Sequence, residues 1–444
     1  MFGKRHHVTV GVLTLAALSA LPLIAARPAQ AQTKTVLHNF TGVPDHASPQ
    51  ARLTSDGATA VAPSVPQFQQ VIIVIQENRT PDNLFGASGL PGIDVQLNTT
   101  KGQGVDIGDP HGPGLPHKLS GFLREVDGHY TFAAYNYVAS GAQPYWDIAA
   151  QYGFANSMFQ TNQGASFPAH LFLVSGTSAP SDTSDLFVSD NGLRFQDYGC
   201  EAPTGTTVPT IAPDGTEGTV YPCFDTSSLI DLLVNAGLTW RYYAVSKQQI
   251  WNAPLALQNY YQSPNIVLNP PQVLSDIANG TLANVSWVTP GKSYSDHPSF
   301  GSGGPAWVAS IVNAVGQSPY WNNTVILVTW DDWGGWWDHV PPLANGTSWC
   351  EIYCYGFRVP LLVISAQTPP GYVDNSVHDF GSILHFVENN FSLGLIGPGT
   401  WADSYADDLS GFFPQSAHAR EFHAVKSRKL TQTELLDKGD PDEY

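Results

Sequence analysis

Three stretches of the chain are continuously apolar and rich in β-branched residues: 71–75 (VIIVI), 324–329 (TVILVT) and 359–364 (VPLLVI). Short apolar runs without alternation are the mark of strands covered on both faces of a sheet. Between them lie helix-like stretches at 145–152, 168–175, 227–236, 305–315 and 381–390. Buried strands alternating with helices predict an α/β fold with a largely parallel central sheet flanked by helices. No internal repeat interrupts this texture. Upstream of residue 70 the pattern is lost: 32–69 is rich in Thr, Ala, Ser and Pro, reads as an extended arm or linker, and offers one short strand and turn at 35–42.

The first 31 residues form a separate unit. A basic start (Lys4, Arg5, His6, His7) precedes an apolar run broken by Pro22, and Ala29-Gln30-Ala31 supplies a small-x-small cleavage pattern. This predicts a signal peptide cleaved after Ala31, a secreted or periplasmic chain, and no stable membrane insertion once the leader is gone; a transmembrane anchor is the competing assignment. Four cysteines fall as two sequence-local pairs, Cys200 with Cys223 and Cys350 with Cys354. In an exported chain they are most simply two loop staples, with a zinc site as the alternative. The resulting division is a leader (1–31), an arm (32–69), one domain (70–414) and a solvated, partly ordered tail (415–444).

Charge changes the picture. The 444 residues carry 19 Lys+Arg against 37 Asp+Glu, a net charge of -18, and only 13% of them are charged. So acidic a chain excludes nucleic acid as a partner and electrostatic docking on anionic lipid, both of which need clustered Lys and Arg. A phosphate substrate would require local positive charge from a metal, histidines or backbone dipoles.

Candidate chemistry gathers where apolar runs end, which is where open α/β sheets bind ligands. The first run is followed by Glu77-Asn78-Arg79-Thr80-Pro81-Asp82 and the second by Asp331-Asp332-Trp333-Gly334-Gly335-Trp336-Trp337-Asp338-His339. A carboxylate beside an amide oxygen offers hard ligands, and two adjacent aspartates repel unless a cation lies by them. A helix cap or turn accounts for the same residues, and Trp330, Trp333, Trp336 and Trp337 could equally form a sugar-stacking surface. Ser166 stands just before a helix opened by Pro168, where it is an N-cap or a nucleophile facing an anion site. His111 and His297 lie in Gly/Pro-rich loops, as functional groups or as surface residues.

These segments resemble the bacterial phosphoesterase family of phospholipases C and acid phosphatases, in the alkaline-phosphatase-like superfamily. The similarity rests on Glu77-Asn78-Arg79-Thr80 with Asp82 and Phe85-Gly86, on Gly164-Ala165-Ser166-Phe167-Pro168, and on Asp331-Asp332 through Asp338-His339-Val340-Pro341-Pro342. Supporting stretches include Pro144-Tyr145-Trp146, Asp296-His297-Pro298 and Gly356-Phe357-Arg358; together they run from about residue 71 to 413. The resemblance implies one divalent metal held by Glu77, Asn78, Ser166, Asp331 and Asp332, with Ca, Mg, Mn, Zn or Fe all admissible. It implies Ser166 as nucleophile, forming a phosphoserine, and His111, His297 and His339 around the phosphoryl group. Pro81, Asn83 and Ala169 depart from the commonest family residues (Phe, His and Asn), and Ser166 replaces a Thr frequent among phospholipases C. The expected function is an exported, metal-dependent, acid-phosphatase-like phosphoric ester hydrolase acting on a small phosphate ester or a phospholipid. The alternatives are a phospholipase C on zwitterionic lipid and a non-catalytic carbohydrate-binding surface protein. The sequence assigns no oligomeric state.

Overall fold

The computed structural model describes residues 67–109, 112, 116–192, 198–247, 249–298, 301–343, 355–414 and 418–439. The leader, most of the arm with its short strand at 35–42, His111, Cys350 and Cys354 lie outside the described residues.

The central sheet has eight strands: β1 (Gln70–Gln76), β2 (Gly153–Met158), β3 (Trp240–Tyr243), β4 (Ile266–Val267), β5 (Val285–Val288), β6 (Thr324–Trp330), β7 (Leu361–Ser365) and β8 (Tyr372–His378). Their order is β8-β2-β7-β6-β1-β5-β3-β4. All pairings are parallel except those of β7, which runs against both β6 and β2. The predicted α/β class with a largely parallel sheet holds. The three apolar runs are β1, β6 and β7, and β7 starts at Leu361, after Pro360, which has no N–H to give a ladder.

Helices α1 (Pro81–Phe85), α2 (Leu119–Val126), α3 (Gln143–Gln151), α4 (Ser166–Ser175), α5 (Leu229–Asn235), α6 (Gln272–Ala278), α7 (Gly304–Gly316), α8 (Phe380–Phe391) and α9 (Gln432–Leu435) accompany the sheet. Every residue of α4 is buried, so it is a central helix and not an amphipathic surface one. Its fixed position comes from both ends: Asn191 Oδ1 accepts from Phe167 N at 2.9 Å at the start, and Leu173 O accepts from Trp287 Nε1 at 3.1 Å near the finish. Cys200 and Cys223 form a disulfide. Residues 418–439 lie along the domain. Arg420 N donates to Ala366 O at 2.8 Å, Trp321 Nε1 donates to Arg420 O at 2.7 Å, and Asn313 exchanges two hydrogen bonds with the backbone of Val425. Among the described residues no helix is long and apolar enough to cross a membrane.

Candidate metal and phosphoryl-transfer site

The register of β1 on β6 builds the site. Gln76 pairs with Trp330, so the next residues of both strands, Glu77-Asn78 and Asp331-Asp332, leave the sheet side by side. All four are buried. Asn78 takes the left-handed backbone conformation (φ 61°), uncommon outside glycine and best tolerated by Asn. In that conformation its N–H donates to Asp331 Oδ1 at 3.1 Å and its Nδ2 donates to Asp332 Oδ1 at 2.7 Å. Gly334, at φ 67°, passes so close that an added Cβ would meet Asn78 O at 2.4 Å, and its N–H donates to Asp332 Oδ1 at 2.7 Å.

Helix α4 points its N-terminus into this corner. Ser166 Oγ lies 3.2 Å from Asp332 Oδ2. One turn later, His170 Nε2 is 3.4 Å from Glu77 Oε1 and 3.7 Å from Asp331 Oδ2. The structure therefore brings together Glu77, Asn78, Ser166, Asp331 and Asp332, and adds His170, which the sequence reading left unassigned. Its signal was the four-residue spacing from Ser166, which puts both side chains on one helix face.

Do these residues fit a cation? With Asn78 Nδ2 committed to Asp332, the buried Asn78 Oδ1 has no hydrogen-bond partner. A buried amide oxygen left without a hydrogen bond, on a residue joined to both Asp331 and Asp332, is an arrangement that a hard cation satisfies and that protein alone leaves costly. The donor set fits.

The histidines divide. His297 is buried on the loop after β5; its Nδ1 lies 2.9 Å from Pro298 O, an acceptor only, so Nδ1 carries a hydrogen. That loop is tied to the strand-end corner by Arg79, whose Nε donates to Asp296 O at 2.9 Å, and by Gln76 Oε1, which accepts from Asp296 N at 3.0 Å. Burial pulls the Arg79 guanidinium down to about 10 and pushes Asp296 up to about 6, the latter opposed by Arg79, Tyr145 and Trp330. His117, absent from the sequence-based candidates, sets its ring 5.4 Å from that of His297.

His339 belongs to a different group. Its Nδ1 is 2.9 Å from Asp82 Oδ2 and its Nε2 is 3.2 Å from Asp94 Oδ1, with none of its hydrogen bonds reaching Ser166 or the four strand-end residues. Arg358 completes the group, donating from Nε and Nη2 to Asp338 at 2.9 and 3.2 Å. Burial and the charge of Asp338 push Asp82 up to about 6, against Gln96 N, His339 and Arg358.

One alternative falls here. Trp330, Trp333 and Trp336 are buried and held internally: the Trp330 indole N–H by Asp296, the Trp333 indole N–H by Glu125, and the Trp336 ring under Arg79. Tryptophans so enclosed present no sugar-stacking platform. Of the four, only Trp337 is part-exposed, and it leans on Tyr135.

The fold and site thus define an α/β protein with a buried oxygen-rich centre at the ends of two parallel strands and a serine at a helix N-terminus. A model of the Phosphoesterase family matches residues 118–394, and the chain belongs to that family. It is similar to the hemolytic phospholipase C of Pseudomonas aeruginosa (26% identity, 63% of this chain and 43% of the relative). The non-hemolytic phospholipase C of the same organism matches at 26% over 78% of this chain and 57% of that protein. Phospholipase C B of Mycobacterium tuberculosis matches at 24% over 78% and 77%. The chain spans about half the length of the two Pseudomonas relatives. A solved structure from Vibrio parahaemolyticus, in the alkaline phosphatase superfamily, overlays with a TM-score of 0.37 and 10% identity, over 78% of this chain and 70% of that one.

Proposed function

We propose that the protein is a metal-dependent phosphoric ester hydrolase in which Ser166 attacks phosphorus. The observation that carries this is the convergence of a helix-terminal serine, 3.2 Å from Asp332, with the buried Glu77, Asn78 and Asp331. A divalent ion held by Glu77, Asn78, Ser166, Asp331 and Asp332 would supply the positive charge that the acidic chain lacks and would favour the Ser166 alkoxide. The backbone N–H groups at the start of α4 stabilise the anionic phosphoryl oxygens. Asp332 Oδ2 is placed to accept the Ser166 proton as the Oγ–P bond forms and the bond to the leaving oxygen breaks. A protonated His297, with Nδ1 donating to Pro298 O, would give its Nε2 proton to the leaving oxygen, and His111 is assigned to the same phosphoryl group. Water then attacks phosphorus and the Oγ–P bond breaks, returning Ser166. His339 acts from its ion-pair group with Asp82, as a support of the loop after β6.

Phosphodiester phospholipid is the second substrate reading, favoured by the phospholipase C names of the relatives. The leader and a secreted or periplasmic location belong to the same proposal. With a divalent metal supplied, p-nitrophenyl phosphate, its bis-ester and phosphatidylcholine vesicles should separate the classes by product: inorganic phosphate marks a phosphatase, phosphocholine a phospholipase C. Ser166→Ala should lower turnover at least about a thousandfold with unfolding unchanged. Acid-quenched turnover should yield a phosphorylated peptide containing Ser166. Undiminished turnover in the variant removes Ser166 from its role.

A further inference from the structure

We propose that His170 is a nitrogen ligand of the same ion, through Nε2, which makes the centre a mixed nitrogen–oxygen site for a first-row transition metal or Zn rather than Ca or Mg. The inference rests on the metal-dependent reading above and deepens it.

Three observations converge on His170. The first is position: Nε2 faces Glu77 Oε1 at 3.4 Å and Asp331 Oδ2 at 3.7 Å, and one ligand atom from each of the three residues lies within 4.8 Å of the others. Ligands about 2.0–2.2 Å from a common ion stand about 3 to 4.4 Å apart, so these separations suit a shared ion. The second is tautomer. Tyr242 OH lies 2.6 Å from Trp251 O, which can only accept, so the phenol proton is spent there. His170 Nδ1, 3.3 Å from the same phenol oxygen, is then the donor, and in the neutral ring Nε2 is the nitrogen available to a cation among the carboxylates. The third is orientation. The imidazole stacks on Trp251 (16° between planes, centroids 6.2 Å apart), so it is held in this direction on both its face and its far nitrogen. A ring whose outer N–H is held by a fixed acceptor is how proteins set metal-binding histidines.

Nitrogen changes which ions the site prefers. Carboxylates, an amide and a hydroxyl alone suit hard ions such as Ca and Mg, whereas an imidazole shifts preference along the series toward Mn, Fe, Co and Zn.

The test uses the full chain stripped of metal and reloaded with Mn(II). Electron spin echo modulation should show nitrogen coupling in the wild type that disappears in His170→Ala while Mn(II) remains bound. Zn(II) preference over Mg(II), by competition titration, should fall roughly 10–100-fold in that variant. Tyr242→Phe should keep the nitrogen coupling and weaken Zn(II) several-fold. If His170→Ala does not fold, His170→Gln gives the same spectroscopic readout. Bound Mn(II) without nitrogen coupling in the wild type, or coupling that survives loss of the imidazole, overturns the role of His170 and leaves the metal-dependent reading standing. Failure of the wild type to bind either ion overturns both.

Discussion

Asn78 is joined to Asp332 through its amide, Nδ2 donating to Asp332 Oδ1 at 2.7 Å, and the following residue, Arg79, adds a second tie by donating its backbone N–H to Asp332 O at 3.0 Å. The arrangement needs the left-handed backbone of Asn78, which turns the chain out of β1 and aims the amide at the neighbouring strand end. A strained conformation at this point is in keeping with a functional role for the residue.

Two substitutions separate the strain from the ligation. Asn78→Gly keeps the positive φ without cost and removes the amide, so metal affinity should fall about 10–100-fold while stability measured in chelator changes little beyond the lost hydrogen bond. Asn78→Ala should lose the same affinity and a further ~1 kcal/mol of stability from the backbone. Metal titration and denaturant unfolding in chelator check both. A full metal response in Asn78→Gly would remove Asn78 from the ligand set.

Gly334 lies on the other side of that turn. A methyl group there would sit 2.4 Å from Asn78 O, against backbone that cannot move without breaking the Asn78–Asp332 bond, and would also force a positive φ on alanine. Gly334→Ala is expected to cost about 2–4 kcal/mol and to lower metal affinity together with stability. Unchanged metal binding with lowered stability would mean that the turn gives way elsewhere.

Arg358 offers a test of the group around His339. Its guanidinium is fully buried, forks onto Asp338, and donates to Asn156 O at 2.8 Å. Arg358→Met should cost about 3–5 kcal/mol, much of it from leaving Asp338 charged and unpaired. Adding Asp338→Asn should recover part of the loss, so the double-mutant cycle is strongly non-additive. Additive losses would show that the two do not act as a pair.

The sequence made the frame of this site readable because its strands are of the least ambiguous kind. VIIVI and TVILVT have no polar position to place on a surface, so they read as central parallel strands, and the polar pairs behind them read as strand-end chemistry. Strand β2, whose sequence GFANSM alternates nothing and carries a glycine, is built by its neighbours and not by its own propensity. His170 was not singled out because its helix is apolar and buried all round, so that only the spacing from Ser166 marked it. The ion-pair group of Asp82, Asp94, Asp338, His339 and Arg358 escaped for another reason: its members come from segments up to 276 positions apart, and only the folded register brings them together. The tryptophans misled in the opposite direction, since aromatic richness marks a core as readily as a platform.

The last expectation concerns pH. Glu125 on α2 is buried beside Trp333, and burial pushes its carboxyl up to about 8 against a hydrogen bond from the Trp333 indole, where 4.5 is ordinary. The folded protein therefore binds this proton more tightly than the unfolded chain. Its contribution to stability is fully present below about pH 4.5 and is lost as pH rises through about 8. Glu125→Gln keeps an acceptor for the indole and cannot ionise. The variant should match the wild type near pH 4.5 and exceed it by about 2–4 kcal/mol at pH 8.5, with most of the difference developing between. Urea unfolding at several pH values reads the effect, and Trp333 fluorescence reports the local environment. If the wild type and Glu125→Gln keep a constant difference across that range, the carboxyl titrates near its ordinary value and the contact of α2 with the loop after β6 is not pH-linked.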